Sequence, residues 1–176
     1  MAPERILDSL ETERLLLRRS RAGDAVVYRR LWTERDERVP PHRRLDVDGR
    51  PTVEDIASRL AAQSPETRLA LLAVERKDAG DTIGYCGLIA DGSGSADEPE
   101  LAFELLRSTH GQGYATEAAE AVLGWAGHAG YRRLWAHVWD WNVASRRVLE
   151  KLGFREAGRV EPSSVHGHSL LTVRDL

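Results

Sequence analysis

The sequence has little that would cross-link the chain or anchor it to another structure. Cys86 is the only cysteine among 176 residues, so no disulfide can form within the chain. No apolar run approaches the ~18 residues that a membrane-spanning helix needs, and the acidic N-terminal stretch resembles neither a secretory signal nor a transit peptide. The 25 Lys and Arg against 28 Asp and Glu leave a net charge of −3, which disfavours a nucleic-acid-binding protein. These absences predict a cytoplasmic protein that binds neither membrane nor nucleic acid.

The length and the apolar content predict a single globular domain over residues 1–176. A chain of this size buries enough surface to hold a hydrophobic core without disulfides or metals. Hydrophobic residues make up 41% of the sequence and charged residues 30%, which excludes the compositions typical of disordered chains.

Strand and helix signals alternate along the chain in an order that predicts a mixed α/β fold around one sheet. The stretches 68–74 and 82–89 flank a turn at 78–81 and predict an antiparallel hairpin, which argues against a purely parallel, doubly wound sheet. The predicted strands are 14–18, 68–74, 82–89, 100–106, 133–139, 154–160 and 169–173. The predicted helices are 23–34, 52–63, 115–126 and 142–152.

The segment that indicates chemistry is 100–115, with the sequence E-L-A-F-E-L-L-R-S-T-H-G-Q-G-Y-A. Gly111 and Gly113 allow backbone N–H groups to converge, and the helix that follows adds its positive end, which suits a phosphate or pyrophosphate. The alternative is a tight turn that needs glycine for steric reasons. A P-loop is excluded because no Gly-Lys pair exists, and a Rossmann fingerprint fails because Thr116 stands at its last glycine position.

Three segments resemble the GNAT superfamily of N-acetyltransferases. Residues 111–118, G-Q-G-Y-A-T-E-A, are similar to its acetyl-CoA loop, and 142–154 resemble its N-x-x-S…E-K-L-G-F segment. Residues 10–18, L-E-T-E-R-L-L-L-R, resemble the opening strand of the branch that contains the ribosomal-protein acetyltransferases RimJ and RimL. The resemblance implies a mixed, mostly antiparallel sheet flanked by helices and split between its fourth and fifth strands, here 100–106 and 133–139, with acetyl-CoA in the split.

The resemblance also implies where the coenzyme binds. Backbone N–H groups near Leu105 and Leu106 would stabilise the oxyanion, Asn142 would bond the pantetheine arm, and arginines would meet the phosphates. His110 departs from the Gln or Arg that the family has at this position of the loop. The predicted coenzyme-binding residues are Leu105, Leu106, Arg107, His110, Gly111, Gln112, Gly113, Tyr114, Ala115, Thr116, Asn142, Ser145 and Arg147.

Acetylation of an amine requires a base, because amines in proteins are mostly protonated at neutral pH. Glu100 and Glu104 lie on one face of the predicted strand, and either could serve; Glu100 matches the glutamate of the family's fourth strand, whereas Glu104 lies nearer the loop. Leu149 occupies the position of the tyrosine that acts as an acid in many members. Ser145 stands where the RimJ/RimL branch has a serine near the coenzyme sulfur, although a serine in a first helical turn also bonds backbone.

Three tryptophans, Trp32, Trp139 and Trp141, are expected to line the acceptor pocket. The alternative is that they are buried in the core, as most tryptophans are. No metal is expected, because His166 and His168 form a bare pair without further ligands.

Together these features predict an acetyl-CoA-dependent N-acetyltransferase that acts on a primary amine, either a protein N-terminus or a small amine, by direct attack in a ternary complex. The alternative is a non-catalytic module on the same fold that binds acyl-CoA or a partner, which the missing tyrosine suggests. The aromatic residues and the strand-rich segment 161–176 are compatible with a homodimer.

Overall fold

A computed structural model describes residues 5–90, 97–163 and 165–176, and these residues form eight strands and four helices. The strands are β1 (Ser9–Glu11), β2 (Leu15–Arg19), β3 (Leu71–Arg76), β4 (Thr82–Ile89), β5 (Glu100–Leu105), β6 (Arg133–Trp139), β7 (Arg155–Ser163) and β8 (Gly167–Asp175). The helices are α1 (Ala25–Glu34), α2 (Val53–Ala61), α3 (Tyr114–Ala129) and α4 (Val143–Lys151).

All eight strands join one sheet in the order β1-β2-β3-β4-β5-β6-β8-β7. Every neighbouring pair is antiparallel except β5 and β6, which are parallel. The predicted mixed, mostly antiparallel sheet is therefore confirmed. The sequence patterns missed β1, a three-residue strand paired with β2, because S-L-E is too short and too polar to show alternation. The predicted fourth and fifth strands are consequently β5 and β6.

The parallel pair β5–β6 opens into a split. Within the described residues the two strands are in register only at Glu100 and Trp135, where the Trp135 N–H donates to the Pro99 carbonyl at 3.0 Å. Beyond this point the strands diverge toward their C-terminal ends. Backbone groups on the facing edges therefore lack the ladder partners that a continuous sheet would provide.

Local capping explains why α2, α3 and α4 lie where the sequence predicts them. Thr52 and Asp55 form a reciprocal capping box at the start of α2, with bonds of 3.1 and 2.9 Å. Asn142 caps α4 by accepting the Ser145 N–H at 3.2 Å. Gly130 ends α3 in the left-handed conformation, which glycine adopts without strain.

The helices cover the two faces of the sheet. A large apolar cluster joins α3 to the face of β4 that carries Cys86 and Leu88. A smaller cluster joins α1 and α2 to Tyr85 and Leu106 on the other side. Among the described residues no helix has the length and apolar character to cross a bilayer, and no three His, Cys, Asp or Glu side chains gather as metal ligands would.

Candidate active site

A cavity of about 1090 Å³ opens where β5 and β6 diverge. Its walls come from both strands, the glycine loop before α3, the first turns of α4 and the segment that follows α1. Fifteen of the residues predicted for the site line this cavity, namely Glu100, Glu104, Leu105, Arg107, His110, Gly111, Gly113, Tyr114, Ala115, Thr116, Trp139, Trp141, Asn142, Ser145 and Arg147. Leu106, Gln112 and Trp32 do not line it.

The glycine loop has the backbone that the sequence predicts. Gly111 and Gly113 have φ values of 74° and 82°, a conformation that side chains with a Cβ rarely adopt. A Cβ at Gly111 would meet no atom within 4 Å, so glycine stands there because of the backbone conformation and not because of crowding. The loop therefore borders open space at the N-terminus of α3, the helix end that attracts anions.

A cluster of polar residues that sequence reasoning missed holds this loop against the start of β2. Glu117, in the first turn of α3, accepts hydrogen bonds from the Thr12 hydroxyl at 2.6 Å and from the Arg14 N–H and Nε at 2.9 and 2.6 Å. Arg14 also donates to the Gln112 carbonyl at 3.0 Å and lies 4.5 Å from the centroid of the Tyr114 ring. The T-E-R sequence at 12–14 belongs to the segment that resembles the RimJ/RimL branch, and these contacts give it a physical role.

The edge of β5 that faces the split presents backbone groups of Leu105. The Leu106 N–H donates to the Ile83 carbonyl at 2.8 Å and is therefore committed to β4, which corrects the expectation that it faces the reacting carbonyl. Because hydrogen-bonded and non-hydrogen-bonded pairs alternate in an antiparallel ladder, the N–H and carbonyl of Leu105 point toward the split. The His110 ring nitrogen Nε2 lies 2.9 Å from that carbonyl, consistent with this direction.

The two candidate carboxylates have different surroundings, although they share one face of β5. Glu104 forms two bonds with Arg35, at 2.9 and 2.7 Å, and accepts the Tyr85 hydroxyl at 2.7 Å. Burial alone would raise the pKa of Glu104, but the hydrogen bonds and charge of Arg35, with the Tyr85 bond, hold it below its usual range. A carboxylate held in this way is a poor proton acceptor.

Glu100 lies at the closed end of the split and pairs with His137 on β6. Its Oε2 is 3.0 Å from His137 Nδ1, and its Oε1 accepts the His137 backbone N–H at 3.3 Å. The exposed fractions of the two side chains are 14% and 33%, so both reach the cavity wall. No local sequence pattern assigns His137 a role, and only the β5–β6 register reveals its carboxylate partner.

The tryptophans fall into two groups. Trp139 and Trp141 stack with a centroid separation of 6.2 Å and an interplanar angle of 5°, and both line the cavity. The Arg38 guanidinium lies 4.3 Å from the Trp141 ring centroid. Trp32 lies outside the cavity wall and supports Arg35 instead, whose guanidinium is 4.3 Å from its ring.

A mixed sheet that splits at its parallel strand pair, with a glycine loop opening the next helix, is the architecture expected of an acyltransferase that uses acyl-coenzyme A. The family described as "Acetyltransferase (GNAT) domain" matches residues 14–155. This chain therefore belongs to the GNAT family of acetyltransferases, which use acetyl-CoA.

Curated relatives and solved structures agree with this assignment. The N-acetyltransferase YoaA of Bacillus subtilis is 29% identical over 153 residues, which cover 85% of this chain and 84% of YoaA. The N-acetyltransferase p20 of Bacillus licheniformis is 26% identical over 159 residues, covering 86% and 85% of the two chains. RimJ of Mycobacterium smegmatis, solved in complex with CoA-disulfide, superposes with a TM-score of 0.78 at 25% identity, covering 99% of this chain and 90% of RimJ. The presence of RimJ among the structural neighbours supports the assignment of this chain to the RimJ/RimL-like branch.

Proposed function

We propose that this acetyltransferase moves the acetyl group of acetyl-CoA to a primary amine by direct attack within a ternary complex. The observation that carries the proposal is the continuity of the cavity. The glycine loop and the backbone edge of β5 lie at one end, and Glu100, His137 and the stacked tryptophans lie along the same walls. One space can therefore hold both substrates, which direct attack requires.

An acetylated enzyme intermediate on cysteine does not fit this arrangement. Cys86 is the chain's only thiol, and it is fully buried in the apolar core away from the cavity wall. Burial raises the pKa of this thiol, so the reactive thiolate is disfavoured.

The residues of the cavity fit the chemistry of acetyl-CoA, which supplies the acetyl group as an activated thioester. The N–H groups of the glycine loop and the N-terminus of α3 suit its pyrophosphate, with Arg107 and Arg147 nearby. The N–H of Leu105 suits the carbonyl of a pantetheine amide, which would extend the sheet edge. Because the Asn142 carbonyl oxygen accepts the Ser145 N–H, its amide nitrogen is the group that can donate to the coenzyme.

Between the two candidate carboxylates, we propose that Glu100 and not Glu104 takes part in proton transfer, because Arg35 holds Glu104 as a paired carboxylate. Ser145 lines the cavity one turn from Asn142, and we propose its hydroxyl as the proton source for the leaving thiolate. Leu149 stands at the position of the family's tyrosine and is 3% exposed, so this position supplies no phenol to act as an acid.

The proposal is tested by measuring thiol release from acetyl-CoA in the presence of a panel of amines. The panel contains short peptides with free N-termini, lysine derivatives and small polyamines, and calorimetry measures coenzyme A binding separately. Amine-dependent thiol release with formation of the N-acetyl product supports an N-acetyltransferase. Tight coenzyme binding without release on any amine supports the alternative, a non-catalytic module.

Two glycine variants test the coenzyme site itself. Gly111→Ala forces a residue with a Cβ into a left-handed conformation, which costs about 1–2 kcal/mol and should weaken coenzyme A binding about tenfold. Gly124→Ala in α3 is the matched control, because Gly124 has ordinary helical backbone and open space around it. Equal affinities for the two variants would contradict the placement of the coenzyme at this loop.

A further inference from the structure

The closed end of the split holds a carboxylate–imidazole pair that spans the parallel strands. Glu100 of β5 is paired in register with Trp135 of β6. His137 follows Trp135 by two residues, and its side chain therefore lies beside the Glu100 carboxylate. Glu100 Oε1 accepts the backbone N–H of His137 at 3.3 Å, and Glu100 Oε2 lies 3.0 Å from the ring Nδ1 of the same residue. These two contacts hold the imidazole ring beside the carboxylate.

We propose that His137 is the group that takes the proton from the acceptor amine, and that Glu100 is a positioning residue that orients its ring. The inference rests on the proposed function and names the proton acceptor for it. When Nδ1–H is donated to a carboxylate, the neutral imidazole carries its lone pair on Nε2, as in other carboxylate–histidine pairs that transfer protons. His137 lines the cavity in which the amine must lie.

The difference in basicity between the two residue types favours the imidazole. The ordinary pKa is about 4.3 for glutamate, about 6.5 for imidazole and about 7.7–8.0 for an α-amine. The imidazole pKa is closer to that of the amine, so an imidazole is the better matched proton acceptor. Both oxygens of Glu100 already contact His137, which suits a group that orients its neighbour.

Two other acidic groups of the cavity, Glu104 and Tyr85, are engaged with each other and with Arg35. Glu104 is paired with Arg35, and burial, followed by the charge of Glu104, raises the pKa of Tyr85, which donates its hydroxyl to that carboxylate. Arg38 and Arg43 bring positive charge from the segment after α1, and Arg38 is paired with Asp36. On β8, the residue opposite His137 is the uncharged Leu171.

The proton and bond changes balance without a further reactant. One N–H bond of the ammonium breaks and its proton goes to His137 Nε2, directly or through one water. The nitrogen lone pair then forms the N–C bond to the acetyl carbonyl carbon, and the C–S bond breaks with its electron pair left on sulfur. The sulfur takes the proton of the Ser145 hydroxyl, which the second proton of the nitrogen replaces, and the imidazolium releases the first proton to solvent.

Two substitutions separate the roles of the pair. His137→Asn keeps a side-chain N–H that can donate to Glu100 but has no basic nitrogen, so kcat should fall about 100-fold or more, while coenzyme A binding measured by calorimetry stays unchanged. The acidic limb of the pH–rate profile, in which the rate falls as His137 becomes protonated, should disappear. His137→Ala should regain rate with added imidazole, and this variant decides the matter if His137→Asn does not fold.

Glu100→Gln tests positioning with a readout that does not depend on turnover. The pKa of His137, measured by NMR titration of its ring carbon, should fall by about one unit when the carboxylate charge is removed. The acidic limb of the rate profile should move to lower pH by the same amount. A purely structural role for Glu100 would leave both unchanged.

The outcomes distinguish this inference from the function on which it rests. A wild-type protein that acetylates no amine overturns both. An active wild-type protein overturns only the inference if His137→Asn retains rate within about threefold or keeps its acidic limb. Loss of the limb in Glu100→Gln together with its survival in His137→Asn would assign the proton to Glu100 instead.

Discussion

Replacement of Arg35 by methionine is expected to destabilise the protein by leaving Glu104 buried without its cation. The two side chains are 12% and 25% exposed, and their closest atoms are 2.7 Å apart. Removing one partner of a buried pair costs about 3–5 kcal/mol, and the remaining exposure of Glu104 and its bond from Tyr85 place this case at about 3 kcal/mol. At about 3 °C per kcal/mol for a chain of this length, Tm should fall by about 9 °C.

Methionine is chosen because it keeps an unbranched apolar stem while removing the charged guanidinium, which lies 4.3 Å from the Trp32 ring centroid. Arg38→Met is the matched control. Arg38 pairs with Asp36 at 2.8 Å, but those side chains are 49% and 30% exposed, so the loss should stay within about 1 kcal/mol. The double variant Arg35→Met with Glu104→Gln should regain much of the stability, because no unpaired carboxylate remains buried.

The pH dependence of stability should change sign in Arg35→Met. In the wild type the pKa of Glu104 lies below its unfolded value, so its contribution is present above the unfolded pKa and is lost as pH falls. Without Arg35, burial dominates and raises the pKa above the unfolded value. The free energy of unfolding of the variant should therefore rise as pH falls from about 7 to about 5. Over the same pH range the Glu104 carboxyl should add no stability to the wild type.

The assay is thermal and urea unfolding of the four proteins between pH 5 and pH 8. Equal losses for Arg35→Met and Arg38→Met would refute the reasoning, because burial would then make no difference to the pair. A double variant as unstable as Arg35→Met would show that the loss does not come from the uncompensated Glu104 carboxylate.

Three further substitutions give separate tests. Arg14→Ala releases the glycine loop from β2, so steady-state kinetics should show a several-fold higher KM for acetyl-CoA with a nearly unchanged kcat. Gly87→Ala places a Cβ 2.0 Å from the Ala70 carbonyl oxygen, and urea unfolding should show a loss of about 1–3 kcal/mol. Asn142→Ala removes the cap of α4, which should cost about 1 kcal/mol in unfolding and weaken coenzyme A binding in calorimetry.

Much of the fold could be predicted from local patterns. The strands Thr82–Ile89 and Arg133–Trp139 lie at their predicted bounds because apolar and β-branched residues run between clear breaks. The starts of α2 and α4 follow from Thr52 and Asn142, whose side chains satisfy N–H groups three residues away. The glycine loop could also be predicted, because its backbone conformation is one that glycine readily adopts.

The candidate site was predicted in outline but not in its division of roles. Alternation placed Glu100 and Glu104 on one face of β5 and offered no way to choose between them. Arg35, which pairs with Glu104, stands 69 residues away in the sequence, and His137 stands 37 residues from Glu100. Neither partner carries a local signal that points to its carboxylate.

The sequence by itself determined every strand and helix except β1, together with the caps of α2 and α4, the glycine loop and the family, because each is set by short segments of neighbouring residues. Only the tertiary structure decided which carboxylate is paired with a cation, which histidine joins the other, and which backbone groups of β5 face the split. A carboxylate's proton affinity depends on burial and on charges within a few ångströms. For Glu100 and Glu104 those neighbours come from distant segments, which meet only when the sheet assembles and α1 packs against it.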